Sequence, residues 1–235
     1  MGVLDPSPLP PLKSFSLTHI LYDPTHPLSI PLSLLSLSPI FLFVSYATLL
    51  IATRRITILF LLLGQLANEV LNLVLKRVWR AERPFMGFGE VGDGYGMPSS
   101  HSQFAGFLFA WGIGFVLTMD KRYQDVGKSS QVRAVRLWRT RIYLAGLGVW
   151  SLLVSYSRYH LHYHSQYQII VGYSVGLLAG GIYFLLSEYV PIYHPATMPG
   201  KLRNWMQSIW VGVGGIGGYT LGGSDGGWGE GWVFQ

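Results

Sequence analysis

Residues 56–76 read ITILFLLLGQLANEVLNLVLK, and this stretch decides the class of the chain. Its first twenty residues, 56–75, are predominantly apolar, and about 20 such residues are what a helix needs to cross a bilayer core. The exceptions are ordered. Gln65, Asn68, Asn72 and Lys76 recur at spacings of three and four, with Glu69 beside them, so they form one polar stripe on a helix. A charge at mid-membrane costs about 2.5–3.5 kcal/mol on insertion scales. The stripe therefore faces the interior of a helical bundle. Hydrogen bonding between helices accounts for Gln65 and Asn68, while Asn72 stands one turn before Lys76 and is placed to orient it.

The rest of the chain agrees. Half of its 235 residues are hydrophobic and only 12% are charged, against about 25% in soluble domains. Spans are expected at 31–52, 56–75, 102–119, 142–157 and 167–187, and 205–221 is a candidate sixth whose glycines weaken a helix. The expected fold is all-α, a multi-pass transmembrane bundle. Residues 1–30 precede its core at 31–187, with SFSLTHILY (14–22) read as a short surface helix; 188–235 follow, ending in a Gly-rich tail. The Pro- and Ser-rich N-terminus lacks the pattern of a cleavable signal peptide. With no cysteine, disulfides and thiolate metal sites are excluded.

The net charge of +6 has a direction. Lys121, Arg122, Lys128, Arg133, Arg136, Arg139 and Arg141 crowd one short loop, which sets that loop and Arg54–Arg55 on the cytoplasmic side. This placement favours anionic lipid over nucleic acid as the partner of the basic residues. Loops 76–101 and 157–166 then face the other side, and both are rich in reactive side chains.

Three segments stand out there. In KRVWRAERP (76–84), Lys76, Arg80 and Arg83 share a face if the helix continues, with Pro84 ending it. Arginine grips phosphate oxygens through paired hydrogen bonds and lysine adds a point charge; snorkelling of basic side chains at a helix end is the plainer reading. MPSSHS (97–102) opens the next helix, with Ser99 as N-cap, free N–H groups that suit a phosphate, and His101 in the first turn as a proton donor. An incidental surface histidine beside a simple cap is the alternative. In YSRYHLHYHSQYQ (156–168), Arg158 is a third phosphate ligand and His164 a nucleophile for phosphorus, with Gln168 one turn later as the partner of the other ring nitrogen. The tyrosines, with His160 and His162, suit an interfacial belt. His160 and His164 also have the i, i+4 spacing of helical zinc sites, but no HExxH pattern or nearby third ligand accompanies them.

Taken together, Lys-x6-Arg-Pro (76–84), Pro-Ser-x-His (98–101) and Ser-Arg-x5-His (157–164) resemble the three-part signature of the type 2 phosphatidic acid phosphatase superfamily, across residues 56–187. The resemblance implies a metal-independent membrane phosphatase with no cofactor. Lys76, Arg83 and Arg158 would bind phosphate, Ser99 and Ser100 would cradle it by hydroxyl and N–H, His101 would protonate the leaving group and His164 would carry the phosphoryl group. Ser100 stands where the family usually has glycine, and Gln168 where it usually has aspartate. Glutamine can accept a hydrogen bond but cannot neutralise an imidazolium, so Gln168 must be held carbonyl-first or an acid must assist, with Glu82 ahead of Glu90 and Asp93. Gln168, GMPSSHSQF and the SLTH near the N-terminus are more narrowly similar to the eukaryotic dolichyldiphosphatases. That subgroup implies a polyprenyl diphosphate substrate, the endoplasmic reticulum membrane, a lumenal site and recycling of the lipid carrier for protein N-glycosylation. A broader lipid phosphate phosphatase and a non-catalytic lipid carrier or scramblase are the alternatives. Nothing in the sequence fixes an oligomeric state.

Overall fold

The computed structural model describes residues 13–15, 20–82, 95–124 and 130–221. Its helices, in chain order, are α1 (Ser29–Ser36), α2 (Ser38–Thr53), α3 (Ile56–Trp79), α4 (Ser100–Gln124), α5 (Ser130–His160) and α6 (Gln166–Phe184), which runs on through a π-helical turn (Leu185–Tyr189) into α7 (Val190–Tyr193), and then α8 (Met198–Gly212). The all-α membrane architecture is as expected.

The span count is not. Among the described residues, four helical stretches are long and apolar enough to cross a membrane: Ser29–Thr53, Ile56–Trp79, Ser100–Met119 and Gln166–Tyr193. The fifth expected span, 142–157, is the second half of the 31-residue α5. Its apolar run is closed by Arg141 and Arg158, and the first half of the helix carries further arginines. The first span is two helices with a break at Leu37, because Pro39 at the start of α2 lacks an N–H and its ring crowds the preceding turn.

Two other expectations are corrected. Within 14–22 the described residues are extended, not helical: Lys13–Phe15 pairs antiparallel with Ile20–Tyr22. Residues 205–221 do not span. α8 stops at Gly212, Gly214 and Gly218 take φ of 87° and 93°, and the chain doubles back to the turn between α2 and α3. There Ile216 donates to Arg54 O at 2.7 Å and Ile56 donates to Ile216 O at 3.0 Å. Positive φ is a conformation that glycine adopts without steric cost, so the glycines that weaken a sixth helix supply the return. The tail, 222–235, lies outside the described residues.

α4 is the centre of the bundle, with Phe104, Phe107, Trp111, Phe115 and Met119 buried against Tyr46 of α2, Leu61 of α3 and Phe184 of α6. In lipid no hydrophobic drive brings helices together, so close packing must do it. α6 meets this with Gly172, Gly176 and Gly180, which lie on Ser99 just before α4 and on Gln103 and Phe107 within it, both sets repeating every four residues. A side chain is excluded at this seam: a Cβ on Gly176 would stand 2.1 Å from Gln103 O.

The helices run up and down, so the end of α3, the start of α4, the end of α5 and the start of α6 meet at one end of the bundle. These are the segments that carry the sequence motifs.

Candidate active site

A buried amide ladder fixes the start of α4 against α3. Asn72 Nδ2 donates to Pro98 O at 3.3 Å and to Gln103 Oε1 at 2.8 Å, while Gln103 Nε2 donates to Asn68 O at 3.0 Å and to Asn68 Oδ1 at 2.9 Å. Gln65 Nε2 donates to Phe104 O at 3.4 Å. The polar stripe thus faces inward, as its spacing requires. Asn72 has a different task from the one its position suggested: it holds the Pro98–Gln103 turn. Gln103 was not foreseen, although a lone glutamine one turn after Ser99 in an apolar helix is a visible signal.

Ser99 is fully buried and its carbonyl accepts the first helical bond, from Gln103 N at 3.0 Å, which makes it the N-cap. Its N–H is not available to a phosphate, since it donates to Gln168 O at 3.2 Å. This corrects the expectation that Ser99 contributes both groups. Its hydroxyl accepts from Ser102 Oγ at 3.1 Å, leaving its own hydrogen to donate. α4 starts at Ser100, and the N–H groups of a helix's first turn have no intrahelical partner.

His101 is half-buried, and a ring nitrogen hydrogen-bonds the backbone of Ser36 at the end of α1. Its ring lies close enough to Arg158, His164 and Lys76 for their charges to act on it. Side chains from α3, α5 and the α5–α6 turn therefore lie within charge range of His101 at the start of α4. The Ser36 contact is made through main chain, which leaves no mark in a sequence.

Arg158 and His164 are joined by a tight turn in which both Tyr163 N and His164 N donate to Arg158 O, at 3.1 and 3.3 Å. His162 takes φ 59° within it. The Arg158 guanidinium is buried and lies 4.0 Å over the Tyr163 ring. His164 is also buried, with Nδ1 3.2 Å from Gln168 Oε1. His160 points away from it: His160 Nε2 meets Ser29 Oγ at 3.2 Å and its ring packs edge-on to His26 at 4.6 Å. His162 is exposed. The two flanking histidines thus hold the surface.

Gln168 is fixed at both ends of its amide. Its oxygen takes His164 Nδ1 and also accepts from Ser165 N at 3.3 Å, while its nitrogen donates to Glu82 O at 2.8 Å. Only the carbonyl-first orientation fits a main-chain acceptor on the other side. With a carbonyl facing it, His164 Nδ1 carries the proton and Nε2 keeps its lone pair. Glu82 therefore assists through its backbone. Its carboxylate belongs to an exposed residue, and the expectation of an assisting acid there is corrected.

The basic rim is shorter than expected. α3 ends at Trp79 because Arg80 takes a left-handed φ of 48°, so the helix stops before the proline, and exposed Arg80 turns its Nε to Arg77 O at 3.1 Å. Lys76 remains in the last turn, half-buried and within charge range of Glu69. Arg83, Pro84, Glu90 and Asp93 lie outside the described residues. The two ends of that segment are close, with Gly96 N donating to Ala81 O at 2.7 Å beside the Gln168–Glu82 contact.

Cationic groups, first-turn N–H groups and two histidines brought to one end of the bundle suit an oxyanion with a bond to be broken at its centre. Comparison with known proteins agrees. The PAP2 superfamily model matches residues 57–191. The chain is 36% identical over 186 residues to a dolichyldiphosphatase of Saccharomyces cerevisiae, covering 77% of this chain and 72% of that one. It is 35% identical over 180 residues to dolichyldiphosphatase 1 of Homo sapiens, covering 76% and 73%. It is 32% identical over 188 residues to dolichyldiphosphatase 1 of Dictyostelium discoideum, covering 80% and 76%. No solved structure matches the chain.

Proposed function

The chain belongs to the PAP2 superfamily, and from that premise we propose that it hydrolyses dolichyl diphosphate to dolichyl phosphate and inorganic phosphate. The relatives named for this reaction match across three quarters of the chain. The single observation that carries the site assignment is the convergence of Lys76, Arg158 and His164 on His101.

The proposed chemistry uses the residues at this end of the bundle, with Arg83 added from the sequence motif. Lys76, Arg83 and Arg158 neutralise the terminal phosphate. Ser99 offers its hydroxyl, Ser100 and His101 the N–H groups of the first turn. His164 Nε2 attacks the terminal phosphorus in line as the bond to the bridging oxygen breaks. The proton stays on His164 Nδ1 and is donated to Gln168 Oε1, whose carbonyl dipole stabilises the positive charge forming on the ring. His101, held by Ser36, gives its proton to the departing lipid phosphate. In the second half, His101 takes a proton from water, the water oxygen bonds phosphorus, and the N–P bond breaks to release phosphate and restore His164. Positioning and charge dominate phosphoryl transfer, and fixed cations supply that charge without a metal.

The polyprenyl chain stays in the bilayer while its head group reaches the rim of the bundle. The basic 121–141 region supports a cytoplasmic position for the opposite end, and with it the reading of a site on the lumenal face of the endoplasmic reticulum, where the carrier would be released in N-glycosylation. Phosphate release from dolichyl diphosphate, dolichyl phosphate and phosphatidate, measured in parallel in detergent, tests the reading. It expects a clear preference for the diphosphate; equal or faster release from phosphatidate would overturn the substrate.

A further inference from the structure

The first span bends beside the site, and the bend releases the carbonyl that holds His101. Ser36 is the last residue of α1, so its N–H is spent inside that helix on the carbonyl four residues back. Its own carbonyl points forward into the break. The contact with His101 is therefore a ring N–H donating to Ser36 O. In an unbroken helix Ile40 N would take that carbonyl. Here Pro39 stands at the start of α2, without an N–H and with a ring that crowds the turn before it. The ladder slips at the proline. Leu37 N donates to Leu34 O at 3.1 Å and Ile40 N to Leu37 O at 3.0 Å, each three residues back instead of four. Ser33 O, the regular partner of Leu37 N, takes the Ser36 hydroxyl at 2.7 Å. Ser36 O is left to accept from outside the helix.

The elbow is also tied to the segment that carries the other site residues. Leu37 is 4% exposed and packs on Leu161, with Tyr22 and Tyr163 against the pair. Tyr163 is the ring beneath the Arg158 guanidinium, and it lies in the turn that leads to His164. At the other end of α1, Ser29 Oγ meets His160 Nε2 at 3.2 Å. α1 and its elbow are thus pinned at two points to the end of α5 and the turn after it, while the Ser36 carbonyl reaches His101 on α4. They lie ahead of residues 57–191, which the family model matches.

A carbonyl accepts and does not donate, so it fixes which ring nitrogen of His101 keeps its hydrogen. The other nitrogen is left to hand a proton to the departing oxygen. We propose that the elbow is a positioning element of the active site: Pro39 releases Ser36 O from the helical ladder, and Leu37 seats that carbonyl against His101. The inference rests on the acid role proposed above for His101.

The test is a pair of mutant cycles on the full-length protein, read by steady-state turnover of dolichyl diphosphate in detergent. Pro39→Ala restores an N–H and lets α1 and α2 run on as one helix, with Ile40 N returned to Ser36 O. Leu37→Ala withdraws the anchor and leaves the proline. Each is made in the wild-type protein and in His101→Ala. With His101 present, kcat should fall about tenfold, the effect of one hydrogen bond, at little-changed KM. In the His101→Ala background the same substitutions should change kcat by less than about twofold, because groups that act through one another are not additive. A purely structural role would lower turnover equally in both backgrounds, and that result would overturn the proposal, as would full turnover in both elbow variants. Near-normal turnover in His101→Ala itself would overturn the acid role together with the elbow's part in it, whereas a failure confined to the cycles leaves the acid role standing.

Discussion

The two ends of this bundle both bury an arginine, and they use it differently. At the far end Arg203 is closed by Glu188 at 2.9 Å and held between two aromatic rings. At the near end Arg158 lies over one ring, with its charge reaching His101. The first arginine ties α8 to α6 and keeps residues 213–221 folded under the α2–α3 turn. The second stands among groups from three other elements, held in place by neutral amides. A buried cation becomes a staple or a ligand-binding group according to what surrounds it, and burial alone does not separate the two.

That contrast can be broken by substitution. The largest effect belongs to His164→Ala, which removes the proposed nucleophile. Turnover of dolichyl diphosphate should fall by at least about 10⁴-fold, with the thermal unfolding midpoint close to wild type. Near-normal phosphate release would place the chemistry elsewhere. His101→Ala comes next, with a loss of about 10²–10⁴-fold. Its deficit should shrink on a substrate whose leaving group needs no proton; an equal deficit on both substrates would remove the acid role.

At the other end Glu188→Gln leaves Arg203 charged and buried without its partner. Breaking such a pair costs about 3–5 kcal/mol, which should appear as a lowered unfolding midpoint with turnover per folded molecule unchanged. A variant that is stable but slow would tie the two ends together and defeat the comparison. The smallest of the four is Gln168→Leu, which releases both His164 Nδ1 and the Glu82 carbonyl. Losing buried hydrogen bonds of 1–3 kcal/mol predicts about a 10- to 100-fold fall in kcat. Gln168→Asp keeps an acceptor for His164 but cannot donate to Glu82, so it separates the two contacts: recovery of most of the activity would assign the effect to the histidine alone.

The sequence made one end far more legible than the other. Lys76, Ser99, His101, Arg158 and His164 sit in short motifs whose residue types and spacings suggest their chemistry, and Lys76, Arg158 and His164 lie within charge range of His101. The orientation of Gln168 could be posed as a question from its identity alone, but the answer is a main-chain carbonyl of Glu82, and carbonyls have no sequence signature. Ser36 behind His101 was hidden for the same reason. The Arg203–Glu188 pair was missed because its partners are separated by a π-helical turn and a chain reversal, neither of which has a period to read. The fifth span was overcounted because helicity and apolar length were taken together, whereas α5 is long in the first sense and short in the second. The glycines of 212–218 were noted as a weakness in a helix, and the structure uses them to end it.

The account rests on His164 Nε2 becoming bonded to phosphorus. Rapid acid-free quenching of enzyme mixed with dolichyl diphosphate radiolabelled on its terminal phosphate tests this directly. A protein-bound label that survives base, is lost in acid and is absent from His164→Ala is the predicted result. Label of the same stability retained by that variant, or an acid-stable label on another side chain, would contradict it.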